Sequence, residues 1–135
     1  MTRRMRSRGF AALELALLTL VAVLLILLAV YGGRVYLAQS MVDEAAHAGA
    51  RAASQSASAP AATRDATDVA MATLAQHGST CSQPTVTVDT RAFHPKGNVI
   101  VYVTCQVSLK NLTLLPLRGS RTVSAMVKSS IETYV

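Results

Sequence analysis

Between residues 10 and 30 the chain offers water only two polar side chains, Glu14 and Thr19. The other nineteen of these 21 residues are apolar. As a helix rising about 1.5 Å per residue, this run is roughly 30 Å long, the thickness of a bilayer's hydrocarbon core. Arg3, Arg4, Arg6 and Arg8 stand just before it. Positive residues stay on the cytoplasmic side, so residues 1–9 are expected in the cytoplasm and residues from 34 onward outside it. The chain is then a single-pass protein of the cell membrane, in contact with lipid. Gly32, Gly33 and Arg34 mark the outer edge, with Tyr31 and Tyr36 as interfacial aromatics. The competing reading is a secretory signal that is cut off. Such signals have a shorter apolar core and a small-residue cleavage site, and here the residues around Ala29 to Tyr31 are bulky.

This run also explains the composition. Of 135 residues, 51% are hydrophobic and only 15% charged, yet the remainder reads as an ordinary Ala- and Val-rich segment. There is no Trp, so any core is built from small aliphatic side chains and is modest in stability. The net charge of +6 raises the question of nucleic acid. Four of the thirteen basic residues lie in the first eight positions, and the others are dispersed among six acidic ones. The basic excess follows membrane topology, and no nucleic-acid partner is expected.

The helical pattern continues past Gly33. Ala38, Met41/Val42, Ala45, Gly49 and Ala52 recur at spacings of three and four, while Gln39, Asp43, His47 and Arg51 occupy another face. One helix is predicted from about residue 10 to residue 54. Residues 54–59 read as a linker. Pro60 opens a second helix with the stripe Ala62, Ala66, Val69, Ala70 and Leu74, and His77-Gly78 ends it. From Pro84 the period becomes two. Val86 and Val88 alternate with Thr85, Thr87 and Asp89, and residues 94–98 form a turn. Val99, Val101, Val103, Cys105, Val107 and Leu109 share one face of a second strand, and Val123, Ala125, Val127 and Ile131 one face of a third. The predicted fold is α+β: a long N-terminal transmembrane helix extending into a small domain with a second helix and a three-stranded antiparallel sheet. The predicted parts are a basic leader (1–9), the transmembrane helix (10–33), its extracytoplasmic continuation (34–56) and the small α+β domain (60–135).

Cys81 and Cys105 both follow the membrane run and lack CxxC spacing. Outside the cytoplasm a disulfide is the default, and two buried free thiols are the alternative. Leu112, Leu114, Leu115 and Leu117 crowd a Pro-containing loop between the second and third strands. They either close the end of the core or contact a neighbouring subunit or the membrane surface. No P-loop, GxSxG, HExxH or GxGxxG pattern occurs. His47, His77 and His94 are scattered, and none has zinc-ligand spacing with the cysteines. Enzyme activity, a cofactor and a metal are therefore not expected.

The N-terminal junction narrows the choice. It reads Arg8-Gly9-Phe10-Ala11-Ala12-Leu13-Glu14-Leu15: a basic leader ending in Gly, then Phe, then a lone carboxylate at the fifth position after that Gly. This resembles the class III signal of type IV pilins and pseudopilins. The resemblance implies that a prepilin peptidase cuts between Gly9 and Phe10, that the apolar helix is retained for assembly, and that Glu14 pairs with the new Phe10 amine of a neighbouring subunit. Without the resemblance, Glu14 has a simpler reading: it lies about 6 Å of helix rise from Phe10 and can snorkel to the headgroups.

Farther on, residues 43–53 read Asp-Glu-Ala-Ala-His-Ala-Gly-Ala-Arg-Ala-Ala. With the junction, this resembles the TadE-like family of the Flp/Tad pilus system. The resemblance covers residues 8–55 and is only architectural beyond Pro60. It implies a membrane-anchored minor pseudopilin with a pilin-like domain. Its partners would be other pilin or pseudopilin subunits, proteins of the Tad secretion platform and a prepilin peptidase, and its site would be the cell membrane or a surface pilus. Major pilins of that system are shorter and carry Tyr where Leu15 stands. Two other readings compete. In one, the chain is a bitopic protein whose outer domain binds a ligand through the leucine-rich loop. In the other, it belongs to a DNA-capturing pseudopilus, which needs a basic patch that residues 34–135 do not display.

Overall fold

A computed structural model describes residues 3–78, 81–108 and 119–131, with side chains from residue 10 onward. The elements are α1 (Arg3–Ser54), α2 (Ala59–Gln76), β1 (Cys81–Asp89), β2 (Asn98–Ser108) and β3 (Ser120–Ser130). This is the α+β arrangement expected from the sequence. Residues fall into two compact units, Met1–Val35 and Tyr36–Val135.

The first unit consists of the N-terminal part of α1. The helix begins at Arg3, earlier than predicted, and carries Gly9 inside it. Arg and Met are good helix formers and no Pro interrupts them, so the leader continues the helical run.

In the second unit, the remainder of α1 buries Ala38, Val42, Ala45, Ala46, Ala50 and Ala53. The predicted polar face stands out in Asp43, His47 and Arg51. At the end of α1, the orphan carbonyls are taken up locally: Ser54 Oγ donates to Arg51 O (2.8 Å) and Ser56 Oγ to Ala52 O (3.1 Å). Four residues after Ser54, Ser58 is the N-cap of α2. Its backbone is extended and its hydroxyl accepts from Ala61 N at 3.4 Å. Pro60 sits in the first turn, where its missing N–H costs nothing. The helix stops at His77, and Gly78 follows with φ +78°, a conformation that glycine adopts without strain. The buried row of α2 is Ala62, Ala66, Ala70 and Leu74. Val69 leaves the predicted stripe and is 38% exposed. Steps of four define the packed row, and Val69 stands about 100° around the helix from Ala70.

The strands form an antiparallel sheet in the order β1-β2-β3. Tyr102 pairs with Thr87 on one side and Met126 on the other, and Val101 with Val88 and Val127. That register puts Val99, Val101, Val103, Cys105 and Val107 of β2 beside Val123 and Ala125 of β3 on one buried face. Val86, Val88 and Val127 pack against it partly buried. β1 starts at Cys81, three residues before the predicted Pro84, because a bulge between Ser82 and Thr85 absorbs Gln83 (φ 51°) and Pro84. The β1–β2 turn is closed by hydrogen bonds from Gly97 N to His94 O (2.7 Å) and from Asn98 N to Ala92 O (3.0 Å). Ile131 is partly buried, and its N–H donates to Gly97 O at 3.0 Å. Leu109 lies outside the described residues.

Gly49 lies where α1, α2 and the sheet approach one another. A Cβ there would stand 3.0 Å from Ala66 O, 3.3 Å from the Ala70 methyl and 3.5 Å from Val101 Cγ1. One methyl is tolerable, since alanine's better helix propensity offsets the crowding. Valine adds two more carbons with no free volume. Gly49→Val is expected to lower stability by about 2–3 kcal/mol in denaturant unfolding, and Gly49→Ala to stay within about 1 kcal/mol of the parent.

Candidate membrane-spanning and assembly helix

A helix that is apolar all round belongs inside a protein core or inside a membrane. The core option fails here by burial. None of the most apolar 18-residue stretch of α1 is buried within the chain. Phe10 is 78% exposed and Leu13 66%, and the large apolar residues from Leu15 to Leu28 are exposed except Leu27. A continuous apolar surface of this kind requires cover from lipid or from other subunits. From Phe10 to Ser54 the helix is long and apolar enough to cross a membrane.

Two polar side chains interrupt this surface, and they behave differently. Thr19 Oγ1 donates to Ala16 O at 2.9 Å, so its hydroxyl is satisfied within the helix. Glu14 makes no hydrogen bond or ion pair with the described residues and is exposed. An unpaired carboxylate at depth in the bilayer costs about 2.5–3.5 kcal/mol on insertion scales. Phe10 precedes it by four residues and so shares its helix face, one turn nearer the N-terminus. The Gly9–Phe10 bond lies within the helix backbone. Gly9 is also the residue that most weakens the helix there.

In the second unit, a disulfide joins Cys81 and Cys105 with their Cα atoms 5.5 Å apart, within the ordinary range for such a bond. It ties the start of β1 to the centre of the sheet. Two further ties run from α1: Gln39 Nε2 donates to Ser124 O (3.1 Å), and Glu44 Oε2 lies 3.2 Å from His77 Nε2 at the end of α2. Neither pairing is legible in the sequence. Their partners are 85 and 33 residues away in sequence, and no local pattern signals them. Leu112, Leu114, Leu115 and Leu117 lie outside the described residues. Among the described residues no group of three or more His, Cys, Asp and Glu side chains is placed to hold a metal. Both cysteines are consumed by the disulfide, and His47, His77 and His94 stand on α1, at the end of α2 and in the β1–β2 turn.

No curated protein and no solved structure matches the chain. A family does match, over the stretch that contains Gly9, Phe10, Glu14 and the buried row of α1 from Ala38 to Ala50. An exposed, spanning-length helix with one unpaired carboxylate is consistent with a membrane-anchored component related to the Tad pilus system. Residues 9–51 of the chain match the family described as TadE-like protein.

Proposed function

We propose that this chain is a minor pseudopilin, a non-enzymatic structural protein that helps assemble a Tad-type surface pilus. The observation that carries the reading is the coincidence of the TadE-like match with the exposed apolar helix and its single unpartnered carboxylate, Glu14. In this reading residues 1–9 face the cytoplasm and the second unit lies outside it. The Arg-rich leader supports that orientation, as does the Cys81–Cys105 disulfide, which belongs to an oxidising compartment. A prepilin peptidase removes the leader after Gly9. The amine exposed on Phe10 then meets the Glu14 carboxylate of an adjacent subunit, where low dielectric strengthens the pair. Pilin or pseudopilin subunits and the secretion platform are the protein partners, and lipid covers the helix until assembly.

The deciding experiment is the intact mass of the membrane-extracted protein after co-expression with a prepilin peptidase. The mature chain is expected to begin at Phe10. Gly9→Leu is expected to block the cut and leave the full-length mass, because a bulky side chain occupies the position where the glycine lets the backbone approach the peptidase. A wild-type chain that keeps Met1 in the presence of active peptidase removes the processing claim.

A further inference from the structure

α1 contains two adjacent glycines that no packing among the described residues requires to be glycine. A Cβ placed on Gly32 or on Gly33 meets no heavy atom within 4 Å, and neither residue has a positive φ. The contrast within the same helix is Gly49, where a Cβ presses on Ala66, Ala70 and Val101. Gly32 and Gly33 are exposed helix-interior residues, so they keep only the drawback of glycine: extra backbone freedom and poorly shielded hydrogen bonds. Consecutive weak helix formers are where long helices bend. The pair also falls at a particular place. It follows the last residue of the apolar run, Val30, by two positions.

We propose that Gly32–Gly33 is a flexible joint built into α1, where the helix opens and closes while the turns on either side stay formed. The hydrogen bonds that cross the joint are those donated by the N–H groups of residues 33–37 to carbonyls four residues earlier. Opening breaks these bonds and exposes them to water. Before it, the helix is sheltered by whatever covers its apolar surface. After it, Ala38 and Val42 are anchored in the core of the second unit. The joint is independent of the pilus reading, since it depends only on the helix and its glycines.

The test is residue-resolved amide hydrogen exchange on the full chain in detergent micelles. In the parent, the amides of residues 33–37 are expected to exchange at least about tenfold faster than those of residues 42–46. The double substitution Gly32→Ala/Gly33→Ala fits without contact and is expected to slow them about 20-fold, the combined propensity gain of two alanines. Unchanged rates at residues 33–37 in the double variant overturn the proposal. So does parent protection there equal to that at residues 42–46. If the double variant instead loses self-association at unchanged exchange rates, the glycines serve close approach of another helix and the joint is likewise rejected.

Discussion

Replacing Glu14 with leucine is expected to leave membrane insertion intact and to abolish piliation. The two halves of this result have separate physical causes. For insertion, the change is favourable. A carboxylate costs at most about 2.5–3.5 kcal/mol, the value at the bilayer centre, and less near the edge where Glu14 stands, whereas leucine contributes up to about −0.5 kcal/mol. The variant therefore enters the membrane more readily than the parent. Folding of the second unit is not touched, because Glu14 has no partner among the described residues and lies in the first compact unit.

For assembly, the change removes the one charge on an otherwise apolar surface. A charge pair about 4 Å apart is worth roughly 4 kcal/mol at an effective dielectric of 20. Apolar contact between helices in lipid has no register of its own, since any leucine serves as well as the next. In the proposed assembly, the Glu14 charge pair supplies the register that such contact lacks. Glu14→Gln separates charge from hydrogen bonding: it keeps an acceptor and loses the charge, and it is also expected to fail. The measurement is membrane fractionation together with recovery of sheared pili from cells that make the pilus. Normal piliation by Glu14→Leu would show that Glu14 merely reaches the headgroups and would remove the assembly role.

The features legible in the sequence are those set by local chemistry. The apolar run is legible because solvent and lipid sort side chains by polarity alone. The bounds of α2 are legible because Ser58, Pro60 and Gly78 each have a backbone reason to sit at a helix end. The alternation in β2 is legible because burial on one face repeats every two residues, from Val99 to Val107. What the sequence does not disclose depends on structure distant along the chain. The start of β1 was hidden because Pro84 looks like a strand opener, whereas pairing with β2 tolerates it inside a bulge and recovers Cys81 and Ser82. Val69 looked equivalent to Ala70, and only the line along which α2 meets its neighbours separates them. The Gln39–Ser124 tie joins residues that approach one another only in the folded unit. The candidate site has a different limit. Gly9, Phe10 and Glu14 are marked by a motif, and the structure adds the exposure of Phe10 and Glu14 and the helix face these two share, while Glu14 has no partner among the described residues.

Removing the disulfide is expected to cause the largest loss of stability of any change in the second unit. Cys81 and Cys105 are 24 residues apart, and closing a loop of that size restricts the unfolded chain by about 3–4 kcal/mol in the chain-entropy picture. The second unit has little to set against this loss. Its buried core is mainly alanine and valine, and its largest fully buried side chains are Val42, Val99, Val101, Val103 and Cys105. Domains of this size have a total stability of roughly 5–15 kcal/mol. Alanine is the right replacement at both positions, because Cys105 is only 2% exposed and a serine hydroxyl there would lie against Ala38, Val42 and Leu74. Cys81→Ala/Cys105→Ala is then expected to lower the melting temperature by about 15–25 °C. The melt is best followed by the infrared signal of the sheet in the full chain, because the apolar helix stays folded in detergent and would mask the loss. β1 is expected to exchange its amides first. Its Cys81–Ser82 end pairs with β2 across a bulge, and the covalent bond holds that end closed. A shift below about 4 °C would mean that packing of α2 and the valine face holds the sheet without the bond.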